Sequence, residues 1–126
     1  MIIINGFVTQ LDKGEYLIVG TNGLGHHLGG AAQTAHKYFG AVWGESRGIL
    51  GSNSYGIVTL DRRMNKLSIG EIRVQIPHLI KIANENPELK FYLTPIGTGI
   101  AGFTYEEIEP LFNKLPGNII KVGWRK

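Results

Sequence analysis

The chain has 126 residues, a formal net charge of +3 and no cysteine. That length bounds it to one domain, 1–126, large enough to bury a core unaided; the missing thiol excludes a disulfide framework, a Cys-ligated zinc or iron–sulfur centre and a thiol nucleophile. Apart from Arg62-Arg63 and the tail Lys121, Arg125 and Lys126, the basic residues are scattered, which suits a solvated surface or a small anionic ligand better than the clustered stripe of a nucleic-acid surface.

The apolar opening Met1-Ile2-Ile3-Ile4 has no basic lead-in and breaks at Asn5-Gly6, and no other apolar run approaches membrane-spanning length. The expectation is a cytoplasmic protein with no membrane partner. Met1 to Val8 and Tyr16 to Val19 read as strands joined by the polar turn Gln10 to Glu15. After Val19 comes a loop holding five glycines, Gly20, Gly23, Gly25, Gly29 and Gly30. It runs into Ala31, Ala32, Ala35, Tyr38 and Phe39 at helical spacing, with Gly40 as the stop. Gly44 to Gly51 reads as a second glycine-spaced loop, and Ser54 to Leu60 as a strand closed by Asp61-Arg62-Arg63.

Ser68 and Glu71 have capping-box spacing, and Ile69, Ile72, Ile76, Leu79, Ile80 and Ala83 mark the apolar stripe of a long helix kinked near Pro77. Asn86-Pro87 ends that helix, and Leu89 to Ile96 is the next predicted strand. A second glycine-rich loop, Gly97-Thr98-Gly99-Ile100-Ala101-Gly102-Phe103, precedes another capping-box pair, Thr104 and Glu107, and a helix predicted over Tyr105 to Leu115. Pro116-Gly117 closes it, Asn118 to Val122 forms the last strand, and Trp124 lies just beyond. Strands alternating with helices predict an α/β domain with a largely parallel sheet covered on both faces, whose ligands bind beyond the carboxyl ends of its strands.

Strand, glycine loop and helix thus occur in that order twice. Each helix start offers unpaired N–H donors and the positive end of a dipole, so the two loops could clamp a diphosphate through backbone amides. Two tight strand-to-helix connections would also call for glycine, and neither loop matches the Walker lysine motif or the dinucleotide G-x-G-x-x-G fingerprint. No lysine stands in either loop, which weighs against phosphoryl transfer. His26, His27 and His36 match no usual zinc spacing, so no metal is expected. No cofactor is called for.

Ile96 to Phe103 resembles the second phosphate loop of macro domains, I-G-T-G-I-F-G-Y, and Asn22 with Gly29-Gly30-Ala31-Ala32 resembles their first. A closer likeness is to small macro-like proteins of bacteria and phages, with V-F-G-S-N, H-G-A-G-A-A, N-P-E-L and G-x-G-x-A-G. Here these read Ile18-Val19-Gly20-Thr21-Asn22, His27 to Ala32, Asn86 to Leu89 and Gly97 to Gly102. The resemblance implies a three-layer α/β fold with a mixed, mostly parallel central sheet, and a site for ADP-ribose or a related NAD-derived nucleotide diphosphate.

Carried over by position, Gly20, Thr21 and Asn22 lie along the ligand, with Asn22 at the distal ribose, and Gly29, Gly30 and Ala31 donate to phosphate. Gly97, Thr98, Gly99, Ile100, Ala101 and Gly102 wrap the other phosphate, Phe103 packs against the distal ribose, and Trp124 offers a stacking surface for adenine. Where the family's adenine-binding Asp would stand, this chain has Gly6-Phe7-Val8-Thr9, with no carboxylate. Three functions follow. The first is a binding module. The second is an ADP-ribosyl hydrolase or nucleotide phosphatase at the same site, with Asn22, His27 and Asp61 as candidate catalytic residues. The third, from the charge alone, is a nucleic-acid-binding surface.

Overall fold

The computed structural model describes residues 2–4, 7–27 and 30–124. Its centre is β3 (Glu15–Asn22), whose continuous apolar run Leu17-Ile18-Val19 is buried on both faces of the sheet: Leu17 and Val19 turn to one face and Ile18 to the other. On either side β3 pairs in parallel with β5 (Ser54–Leu60) and β6 (Lys90–Leu93), and β6 pairs in parallel with β7 (Ile119–Lys121). The fifth strand, β4 (Gly48–Gly51), is an antiparallel edge on β5, giving the order β4-β5-β3-β6-β7. The sequence reading placed these residues in a loop; ladder pairing with the fully buried β5 overrides the weak strand propensity of Gly48 and Gly51.

The opening segment also departs from the single strand expected. It forms β1 (Ile2–Ile4) and β2 (Phe7–Gln10), an antiparallel pair in a sheet of its own with Ile4 opposite Phe7. Asn5-Gly6, the intervening pair, lies outside the described residues.

On one face α1 (Gly30–Tyr38) packs Ala32 and Ala35, together with Phe39 beyond its end, onto Leu17, Val19 and Tyr92, with Val8 of β2 in the same cluster. The opposite face carries α2 (Ile69–Arg73), α3 (Ile76–Glu85), α4 (Tyr105–Ile108) and a 3-10 turn, Glu109–Phe112. Their Ile72, Leu79, Ile108 and Phe112 close over Ile18, Ile57, Phe91 and Leu93. The result is the three-layer, mixed and mostly parallel α/β arrangement expected.

Both capping boxes form: Ser68 with Glu71, and Thr104 with Glu107. The long helix is broken into α2 and α3, because Pro77 sits in the first turn of α3, where its missing N–H leaves no acceptor unpaired. The helix expected over Tyr105 to Leu115 tightens into the 3-10 turn at Pro110, which lacks the N–H an α-helical bond to Glu106 would need. At the break between α2 and α3, the buried Gln75 clamps β5: its Oε1 accepts from the Val58 amide and its Nε2 donates to the Val58 carbonyl, both at 2.8 Å.

Candidate functional site

A cleft of about 700 Å³ opens at the carboxyl ends of β3, β5 and β6. Its walls come from the end of β3 (Gly20, Thr21, Asn22), the start of α1 (Ala31, Ala32) and the loop from Gly97 to Ala101. Thr59, Leu60 and Met64 line it below α2, and Val8, Leu17 and Val122 give it an apolar end. This is where a parallel sheet leaves its crevice.

The loop after β3 is organised by Asn22. Its Oδ1 accepts from the amides of Leu24 and His26, both at 3.1 Å, and its Nδ2 donates to the His26 carbonyl at 2.6 Å. Gly23 donates to the Leu60 carbonyl and Gly25 to the Asn22 carbonyl. Four consecutive amides, 23 to 26, are therefore engaged within the protein. The outer side of the loop is fastened to residues 42–46: Gly44 donates to the Gly25 carbonyl at 2.9 Å, His27 Nε2 meets the Glu45 carbonyl at 2.9 Å, and the Thr21 hydroxyl donates to the Ser46 carbonyl. Gly25 has φ +70°, and a Cβ there would lie 2.3 Å from the Gly44 carbonyl carbon. Only glycine lets the two backbones touch.

His27 is 2% exposed, and with Nε2 on a carbonyl its Nδ1 is buried with no hydrogen-bond partner among the described residues. Around it gather the rings of His36 and Trp43, and Trp43 in turn stacks on His26 at 4.6 Å between centroids and 16° between planes. Of these rings only His26 lines the cleft.

The loop after β6 is built differently. Gly97 and Gly102 both take φ +77°, and Phe103 donates back to the Gly97 carbonyl, closing the loop at its base. Between them, the amides of Gly99, Ile100 and Ala101 donate to no acceptor among the described residues. Three consecutive unpaired N–H groups between left-handed residues are the makings of an anion nest. Phe103 itself is 4% exposed and supports the loop from the core, with Lys66 Nζ 4.2 Å from its ring centroid.

The remaining sequence-predicted residues fall as follows. Ala31 lines the cleft, Gly30 is the first residue of α1, and Gly29 lies outside the described residues. Thr98 lines the cleft, with its hydroxyl donating to the Pro95 carbonyl. His27, Asp61, Gly102, Phe103 and Trp124 do not line it. Asp61 instead organises the turn after β5, its Oδ1 accepting from the amides of Arg63 and Asn65; the Asn65 amide first, and that of Arg63 beside it, hold its carboxyl below the ordinary value. Trp124 donates Nε1–H to the Leu93 carbonyl at 2.8 Å and packs on Tyr105 and Phe112.

Sequence reasoning missed His26, Met64 and Thr94 as lining residues. Met64, with φ +65°, is a non-glycine residue held left-handed at the cleft edge, where no motif would have flagged it. Among the described lining residues His26 and Tyr105 are the only ones with ordinary titratable side chains; none is Asp, Glu, Lys or Arg.

No protein-family model matches the sequence, and no curated protein does. Among solved structures, the chain is similar to the macrodomain of DarG from Mycobacterium tuberculosis, with a TM-score of 0.62 and 20% identity over 90% of this chain and 89% of that one. With the sheet order, the layers and the two loops already in place, that similarity shows the fold: the chain has a macro domain-like α/β fold.

Proposed function

We propose that the chain binds ADP-ribose or a closely related NAD-derived nucleotide diphosphate, with the diphosphate between the start of α1 and the Gly97–Gly102 loop. The observation that carries this is the row of three amides, 99 to 101, unengaged among the described residues, in a loop that lines the cleft. Opposite it stands the first turn of a nine-residue helix, whose N–H groups and dipole favour an anion. Gly30 and Ala31, the first residues of that helix, supply donors on that side. Gly20 and Thr21 form the floor, and Asn22 has one amide hydrogen left for a ribose hydroxyl after bonding His26. Adenine, with no carboxylate to hold it, rests on the apolar end at Val8, Leu17 and Val122. Phe103 and Trp124 act from behind, holding the loop and the end of β6.

Binding ranks ahead of turnover because His27 and Asp61 lie off the cleft and are engaged in holding backbone. Calorimetric titration with ADP-ribose, ADP, NAD and AMP, followed by chromatography after overnight incubation, tests this. The expected result is ADP-ribose binding on the order of 1–100 µM with the nucleotide recovered intact. Product release lost in Asn22→Ala would make the protein a hydrolase instead, and no affinity for any of the four would overturn the reading.

A further inference from the structure

The cleft does not end at the diphosphate: beyond Asn22 its wall is the ring of His26, and that ring belongs to an aromatic stack the ADP-ribose reading leaves unused. One face of His26 is covered by Trp43, 4.6 Å away and within 16° of parallel, so what His26 offers the cleft is its remaining face and its edge. The ring is held firmly, since both the amide and the carbonyl of His26 are bonded to the Asn22 side chain. Trp43 is held from the other side: it follows Val42, whose amide donates to Leu50, and precedes Gly44, whose amide donates to Gly25. His36 and His27 set their rings at 65° and 78° to the indole, at 5.5 and 6.0 Å. Trp43 is 48% exposed and, although it does not line the cleft itself, it backs the ring that does. A rigid, half-open stack continuous with a cleft is a surface for one more planar ring.

Resting on the ADP-ribose reading, which puts the distal ribose at Asn22, we propose that the His26–Trp43 stack receives a planar cationic heterocycle attached to that ribose. The preferred ligand is thus intact oxidised NAD, its nicotinamide ring completing a three-ring stack, rather than ADP-ribose with a hydroxyl at that carbon. The charge fits as well as the shape. No Lys or Arg is among the described lining residues to repel a pyridinium, and the indole stacked behind the imidazole fixes the plane on which the third ring would lie.

The test is calorimetry of the wild-type chain, Trp43→Ala and His26→Ala with oxidised NAD, ADP-ribose and ADP, with nicotinamide quenching of tryptophan emission in the wild type against Trp43→Phe as a second readout. The wild type should bind NAD about tenfold more tightly than ADP-ribose, and Trp43→Ala should lower NAD affinity about tenfold while leaving ADP-ribose within about twofold. His26→Ala should cost NAD more than ADP, and NAD should quench emission in the wild type but not in Trp43→Phe. If ADP-ribose binds but NAD binds no more tightly, or if the substitutions weaken ADP as much as NAD, the stack does not read nicotinamide and the proposal falls while the ADP-ribose reading stands. If neither ligand binds the wild type, both fall.

Discussion

The two glycine-rich loops look alike in sequence and differ in what their backbones do. After β3, the amides of residues 23 to 26 are all engaged, three of them by Asn22 (two by its side chain and one by its carbonyl), and the loop is fastened to residues 42–46. After β6, the amides of residues 99 to 101 are unengaged among the described residues, and two bonds, from Phe103 to Gly97 and from Gly102 to Gly99, close the loop. One loop is scaffold and the other presents donors. Glycine serves close packing of two backbones in the first case and a turn that exposes N–H groups in the second. Changes in the first loop should therefore register in stability, and changes in the second in binding.

The sharpest test of that division is Gly25→Ala. A methyl there would meet the Gly44 carbonyl carbon at 2.3 Å with φ held at +70°. The expected cost is about 2 to 4 kcal/mol of unfolding free energy. A variant as stable as the wild type in urea would mean that the loop is not clamped to residues 42–46. The matching change in the other loop is Gly99→Glu. Nothing lies within 4 Å of a Cβ built at Gly99, and its φ is not in the left-handed region, so stability should be unchanged. A carboxylate beside the unpaired amides should nonetheless weaken ADP-ribose about 100-fold, equivalent to ~2.7 kcal/mol. Unaltered calorimetric affinity would move the phosphate away from this loop.

Asn22→Ala bridges the two cases. Removing the side chain leaves the Leu24 and His26 amides without their acceptor in a residue only 5% exposed, which should cost about 1 to 3 kcal/mol of stability. It should also weaken ligand binding, because His26 and the following turn lose their anchor. Asn22→Asp separates the terms, since its carboxylate keeps the acceptor but cannot donate to the His26 carbonyl. Retention of full stability in Asn22→Ala would show that the residue is there for the ligand alone.

How much of this was legible in the sequence follows from where the signals lie. The apolar run from Tyr16 to Val19, the Gly40 stop and the two capping boxes are local patterns, and each reappears in the structure. The fastening of the first loop was not legible. Its bonds join residues about twenty apart through the carbonyls of Gly25, Glu45 and Ser46, and a carbonyl carries no residue signature. Gln75 could have been found: it stands three residues after Ile72 and four before Leu79, a polar residue in an apolar stripe, and such a position calls for a buried bond. His26 and His27 could not be told apart by sequence, although the chain turns one into the cleft wall and buries the other.

The smallest expected effect concerns the carboxylates that flank the two loops. Asp61 caps the turn whose Arg62 backbone packs on Gly23, and Glu107 caps the helix that begins where the second loop ends. The Thr104 amide first, with help from the charge of Lys66, holds the Glu107 carboxyl below its ordinary 4.5; the Asn65 amide first holds Asp61 below 3.8. Because both folded values are lowered, each contribution is complete above the ordinary value and is lost as pH falls through the folded one. Both groups are exposed, so the gain is modest and screened by salt. Thermal melts between pH 6 and about pH 3 should therefore show Glu107→Gln and Asp61→Asn slightly less stable than the wild type at the upper end and converging with it at the lower. Glutamine keeps an oxygen for the Thr104 amide, so that variant isolates the charge. A gap that stays constant across the range would mean that the charge of these carboxylates plays no part in holding the ends of the loops.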